Sequence, residues 1–120
     1  METSPPLIQH SIIALNASGA TRPEHDLLGD AEVPADALFG VQTLRAMQNF
    51  PITGIPLSHF PALVRALAMV KQAAARANSR LGLLDAAIAS AIDRASQEVI
   101  DGHHHGHFLV DMVQGGAGTS

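Results

Sequence analysis

The stretch Ser58-His59-Phe60-Pro61-Ala62-Leu63-Val64-Arg65-Ala66-Leu67-Ala68-Met69-Val70-Lys71-Gln72-Ala73-Ala74-Ala75-Arg76-Ala77-Asn78-Ser79-Arg80-Leu81-Gly82 decides the fold class. Phe60, Leu63, Leu67, Val70, Ala74, Ala77 and Leu81 recur at alternating spacings of three and four, an apolar stripe along one face of a helix. Ser58 is a candidate N-cap, Pro61 suits a first turn, and Gly82 suits the position just past the end. The pattern predicts a helix from about residue 59 to 81, about 35 Å long at 1.5 Å per residue. A second helix is expected after a very short connection. Asp85 is its cap or first-turn acid, Ile88, Ile92, Ala95 and Val99 form its apolar face, and Asp101-Gly102 ends it. Two helices so joined predict an αα-hairpin, and the chain reads as mainly α.

Outward from this pair the sequence is less regular. Val41 to Phe50 predicts a short helix with Leu44 and Met47 inward, and Pro51, Gly54 and Pro56 break the chain behind it. Residues 22–40 carry charges, Gly29 and Pro34, so extended chain and turns are expected, with Val33 to Leu38 a short strand or turn entering a helix. Residues 1–21 read as an irregular tail. Beyond the second helix comes Gly102-His103-His104-His105-Gly106-His107, and then an apolar run, Phe108-Leu109-Val110, long enough for one extended segment. That run delivers the chain to Gln114-Gly115-Gly116-Ala117-Gly118-Thr119-Ser120.

Composition bounds the functional classes. The chain has 120 residues, 47% hydrophobic and 15% charged, with 3% aromatic and neither Trp nor Tyr. Such a core must be built from Ala, Leu, Ile and Val, which favours helices packed closely through small residues. It also buries little area per residue, so a chain that is not stable by itself is expected. The formal net charge is −4 with one lysine, Lys71, which argues against a nucleic-acid partner. The absence of cysteine excludes a disulfide scaffold, a thiol nucleophile and a Cys-ligated metal. No run approaches the ~20 apolar residues of a membrane span, and the start lacks the basic, apolar pattern of a signal peptide. A cytoplasmic protein with no membrane partner is expected.

Two segments could carry chemistry. In an extended strand His103, His105 and His107 would share one face, and neutral imidazoles bind Zn²⁺, Ni²⁺ or Cu²⁺. Glycines flank and interrupt the tract, so a solvated loop is the expectation and no metal site is assigned. In the glycine-rich end, Gly115, Gly116 and Gly118 allow the backbone to approach a ligand, and Thr119 and Ser120 can each donate to an oxyanion. Exposed N–H groups with hydroxyl donors suit a carboxylate or phosphate, although composition alone would favour a plain turn. An anion loop normally leads into the element that supports it. The sequence ends at Ser120, and so reads as an incomplete fragment cut within an active-site segment.

Three stretches together resemble the aspartase/class II fumarase superfamily. They are Arg22 to Gly29, Val33 to Ala46 running on through Asn49-Phe50-Pro51-Ile52, and Val110-Asp111-Met112-Val113-Gln114-Gly115-Gly116-Ala117-Gly118-Thr119-Ser120. The resemblance covers residues 22–120, a lyase N-terminal domain truncated at the carboxylate-binding loop. Within the superfamily the last segment has the aspartase form, Gly-Gly-Ala-Gly-Thr-Ser, where class II fumarases usually read Thr-Gly-Ser-Gly-Thr-Gln. Ala117 and Ser120 are the discriminating residues.

The resemblance implies reversible elimination of ammonia from L-aspartate to give fumarate, by a carbon–nitrogen lyase that requires no cofactor. Class II fumarase is the enzymatic alternative, and a non-catalytic truncated lyase domain the other. Thr119, Ser120 and Gly118 would bind substrate. The general base would be a serine on a downstream loop, so no catalytic residue is assigned in this chain, and the isolated chain is expected to be inactive. Each site would be assembled from three subunits of a helical homotetramer. Gln42 and Arg45 match a segment that in some relatives lies near a regulatory site for substrate and a divalent cation such as Mg²⁺. A salt bridge anchoring the domain is the plainer role for Arg45. One departure stands out: Gly106-His107-Phe108-Leu109 replaces the usual Asp-Gln-Phe-Pro before the Val-Asp pair, which should loosen the approach to the site.

Overall fold

A computed structural model describes residues 18–117, and these divide into two compact units. The first comprises residues 18–59 and 106–117, the second Phe60–His105.

The first unit opens with a β-hairpin where extended chain and turns are expected. Strand β1 (Thr21–Asp26) pairs antiparallel with β2 (Gly29–Pro34), from Thr21 opposite Pro34 to Asp26 opposite Gly29. At the turn the Leu28 N–H donates to Asp26 Oδ1 at 2.9 Å, an Asx-type closure. Helix α1 (Val41–Asn49) follows and buries Val41, Leu44 and Met47, so Leu44 and Met47 face inward as the periodicity predicts. Its N-cap, Gly40, has no side chain to offer. Glu24 supplies the cap from β1: Val41 N–H donates to Glu24 Oε2 at 2.7 Å. A Cβ at residue 40 would lie 2.9 Å from that oxygen, so the borrowed cap requires glycine there.

Arg22 holds this arrangement from the other side. Its Nη1 donates to the carbonyls of Pro34 (2.9 Å), Ala35 (3.0 Å) and Ala37 (2.8 Å), its Nη2 to Phe39 (2.6 Å), and its Nε to Glu24 Oε1 (3.0 Å). One guanidinium thus serves four carbonyls between the end of β2 and the start of α1. The core gathers Val33, Ala37, Phe39, Val41, Leu44 and Met47 with Leu109 and Val110. The last two lie in the extended run expected at residues 108–110. It pairs with residues 55–58: Leu57 N–H donates to Val110 O, Ser58 N–H to Phe108 O and Met112 N–H to Ile55 O, around a bridge between Pro56 and Asp111.

The second unit is the αα-hairpin, α2 (Pro61–Arg80) and α3 (Ala86–Ile100). Pro61 stands at the first helical position as expected, but Phe60 is the N-cap. Ser58 instead lies in a 3₁₀ turn, Leu57–His59, with its N–H given to Phe108. Both helices close alike. Gly82 N–H donates to Ser79 O and Leu83 N–H to Asn78 O, and Gly102 and His103 repeat the pattern on Val99 and Glu98. These are Schellman ends, with both glycines at positive φ. Asp85 caps α3 by accepting from the N–H groups of Ala87 (2.9 Å) and Ile88 (3.2 Å).

The packed face of α2 differs from the apolar stripe in the sequence. The helix buries Val64, Ala68, Gln72 and Ala75, and α3 buries Ala89 and Ser96. Phe60, Leu63, Leu67, Val70 and Leu81 are exposed, Val70 by 68% and Leu67 by 47%. On α3, Ile88 is exposed while Ile92 and Val99 are half-buried. The reason is the small-residue seam that the alanine content predicts: short side chains let the helices approach closely, and Leu at those positions would hold them apart. Polar bonds fix the register, with Gln72 Nε2 donating to Gln97 Oε1 (3.1 Å) and Asp93 O (3.4 Å). Arg76 pairs with Asp93, and Arg65 Nε reaches Ile100 O. Ala89→Leu should therefore destabilise the hairpin by about 1–3 kcal/mol through overpacking. Helix melting followed by circular dichroism checks this, with Ala87→Leu, on the exposed face, expected to change little. No helix among the described residues is long and apolar enough to cross a membrane.

Candidate functional site: the clasp that precedes the glycine turn

The site is built where the apolar run ends. Asp111 follows Leu109 and Val110, and it is 1% exposed. Buried carboxylates are costly unless hydrogen-bonded, and this one accepts four donors. Oδ2 takes the N–H groups of Thr53 (2.8 Å) and Gly54 (2.8 Å). Oδ1 takes the Thr53 hydroxyl (2.9 Å) and the Val113 N–H (2.9 Å). Burial by itself would raise the Asp111 pKa. The donors from Val113, Thr53 and Gly54 outweigh it and hold the group below the ordinary carboxylate range. Gln114 Nε2 donates back to Asp111 O.

Past this clasp the chain turns outward. Gly115, Gly116 and Ala117 are exposed, Gly116 at φ 83°. Their backbone N–H groups have no acceptor among the described residues, as an anion-binding turn requires. Gly118, Thr119 and Ser120, the residues expected to bind substrate, lie outside the described residues.

The histidine tract is not extended. His104 adopts φ 64° and residues His105–His107 form a 3₁₀ turn, so the alternation that would align His103, His105 and His107 is absent. Two imidazoles bond locally, His104 Nε2 to Glu98 Oε2 (2.7 Å) and His105 Nε2 to Val99 O (2.8 Å), while His107 Nδ1 accepts from the distant Leu38 N–H (3.1 Å). That last bond ties residue 107 to the segment leading into α1, where the departure from Asp-Gln-Phe-Pro predicts a looser chain. Among the described residues no group of three or more His, Asp or Glu side chains is arranged to hold a metal ion.

Arg45 projects from α1 onto the β-hairpin turn. Its Nε and Nη2 donate to Asp26 Oδ2 (2.8 Å) and Oδ1 (2.9 Å), and Nη2 also reaches Gly29 O (3.0 Å). Gln42, three residues earlier, is exposed. Hydrogen bonding from Arg45 is the main cause that lowers the Asp26 pKa, against burial and with help from Leu28 N–H. The same bond raises the pKa of Arg45. A depressed carboxylate stabilises the fold above its unfolded pKa, near 3.9, and that contribution disappears as pH falls through the lower folded value. Urea midpoints of the chain and its Asp26→Asn variant should therefore differ at neutral pH and begin to converge only as pH falls below about 4.

Thr53, Gly54 and Asp111 carry no signal as a motif. A lone acid within Leu109-Val110-Asp111-Met112-Val113 is nonetheless a mark of a buried, partnered carboxylate.

The sequence model of a family described as Lyase matches residues 29–120, and the chain belongs to that lyase family. It is 59% identical over 101 residues to an aspartate ammonia-lyase of Pseudomonas aeruginosa, covering 84% of this chain and 21% of the relative. A class II fumarate hydratase of Halobacterium salinarum is 54% identical over 99 residues, with 82% and 21% covered. Among solved structures, a fumarate lyase:delta crystallin of Brucella melitensis bound to cobalt superimposes with a TM-score of 0.79 at 53% identity. That match covers 83% of this chain and 22% of the other. The chain thus spans about a fifth of the length of the relatives it matches.

Proposed function

We propose that this chain is the N-terminal segment, residues 22–120, of an aspartate ammonia-lyase, and that it contributes one carboxylate-binding element of the active site. The observation that carries the reading is the exposed Gly115-Gly116-Ala117 turn, whose N–H groups have no acceptor among the described residues, followed in sequence by Gly118-Thr119-Ser120 in the aspartase form. Identity with aspartate ammonia-lyases supports it.

In the reaction a base removes a proton from the carbon beside the β-carboxylate of L-aspartate, leaving an aci-carboxylate dianion. Its electron pair then forms the carbon–carbon double bond as the carbon–nitrogen bond breaks, and ammonia leaves fumarate behind. Charge accumulates on the β-carboxylate, so donors aimed at those oxygens stabilise the transition state more than the ground state. Thr119 and Ser120 hydroxyls and the N–H groups of the turn are such donors. The base comes from outside this chain, in a homotetramer whose sites combine three subunits, and the enzyme works in the cytoplasm in aspartate metabolism. Arg45 is first a salt bridge that anchors the β-hairpin through Asp26; with Gln42 it also marks the place where a regulatory ligand would act. No ligand set is assigned to Mg²⁺ activation.

The second reading, fumarate hydratase, is favoured by the Halobacterium salinarum relative. The test replaces the matching 101-residue segment of the Pseudomonas aeruginosa enzyme with this chain's residues. Fumarate from aspartate and none from malate is the expected result. The reverse identifies a hydratase, and a folded chimera that turns over neither substrate identifies a non-catalytic domain.

A further inference from the structure

We propose that Asp111 is the positioning residue of the carboxylate-binding turn, fixing where that turn begins by tying Val113 to Thr53 and Gly54. Its consequence for substrate rests on the lyase reading above; its consequence for the order of the chain does not.

Asp111 is the one buried acid among the described residues. Three of its four donors come from Thr53 and Gly54, and the fourth is Val113 N–H, on the near side of the glycines. Met112 N–H to Ile55 O and Gln114 Nε2 to Asp111 O complete the anchorage. From Gly115 on, no described residue holds the backbone. Among the described residues Asp111 is therefore the last anchor before Gly115 and Gly116, which have little stiffness of their own. Groups that bind a reacting carboxylate must be held to about 0.5 Å, and glycines cannot hold themselves.

The chemistry also explains why this residue is an acid. Each carboxylate oxygen accepts two hydrogen bonds here. An asparagine has one accepting oxygen, and its NH₂ would face either the Val113 N–H or the N–H groups of Thr53 and Gly54, none of which can accept. Asp111→Asn must therefore release either Val113 or the Thr53-Gly54 turn. Thr53→Val is the milder probe, removing the hydroxyl that donates to Oδ1 and accepts from Ile55 N–H while keeping the shape.

The experiment has two arms. In the 120-residue chain, amide exchange and ¹⁵N relaxation are measured at Val113, Gly116 and Ala117 for Asp111, Asp111→Asn and Thr53→Val. Faster exchange at Val113 and greater mobility at Gly116 are expected in Asp111→Asn, with Thr53→Val intermediate and the Ala75 and Ser96 amides unchanged. In the chimeric enzyme, Asp111→Asn is expected to lower kcat for aspartate by about tenfold per folded enzyme and to raise KM several-fold, because the displaced donors serve both the bound carboxylate and the dianion formed from it. A purely structural residue would lower the folded fraction and leave KM unmoved. Unchanged exchange at Val113, or an unchanged KM in an active chimera, overturns the proposal. A chimera inactive with Asp111 intact overturns the lyase reading instead, and the exchange arm then decides the positioning role alone.

Discussion

Thr119→Ala in the chimeric enzyme is expected to lower kcat/KM for aspartate by about 10²–10³-fold, the usual consequence of deleting one donor to a developing oxyanion. The hydroxyl would contribute one hydrogen bond to a carboxylate that gains a full negative charge in the transition state, so kcat should carry most of the loss. Ser120→Ala should cost less if Ser120 only assists. The measurement is steady-state fumarate production, with Thr119→Ser as the control that keeps the hydroxyl. An unchanged rate in Thr119→Ala would remove this segment from the site. The contrast with Asp111→Asn is diagnostic: one variant loses an interaction made in the transition state, the other the placement of the segment that makes it.

The second large effect concerns stability. Arg22→Met is expected to destabilise the first unit by about 2–4 kcal/mol, from charge-assisted bonds worth about 1.5–3 kcal/mol each, diluted where the carbonyls reach water. Four carbonyls lose the Arg22 donor together, although Pro34 O keeps Ala37 N–H, and Glu24, released from Arg22 Nε, caps α1 less firmly. Amide exchange at Val33 and Leu44 should accelerate, while the αα-hairpin amides should not. Arg22→Lys should recover only a small part, because an ammonium cannot serve acceptors spread from Pro34 to Phe39.

Helices were legible in this sequence because their signals are local. The periodicity of 61–80, the Asp85 cap, the two closing glycines and the inward Leu44 and Met47 all depend on neighbours within a few residues. The buried face of α2 was not, because hydrophobicity alone ranks Leu67 and Val70 above Ala68 and Gln72. What decides is how closely a second helix can approach, and that favours the short side chains. By composition the glycine segment reads as a plain turn, and only the family resemblance makes it a carboxylate-binding element in expectation. The clasp behind it was not legible, because Thr53 and Asp111 are 58 residues apart in sequence and neither belongs to a compact motif. The same holds for Glu24 capping a helix 17 residues away.

The long reach of that clasp has a kinetic consequence. The αα-hairpin can form from contacts within one continuous segment, whereas the first unit needs residues 108–113 to return to residues 53–58 across all of it. Closing that loop is easier once the intervening chain has folded into a hairpin that brings its ends together. During synthesis Val33, Leu44 and Met47 emerge well before Leu109 and Val110, which complete their core. A nascent chain that has not yet released residues 109 and 110 therefore leaves this apolar cluster uncovered, a target for chaperones and proteases rather than a native intermediate.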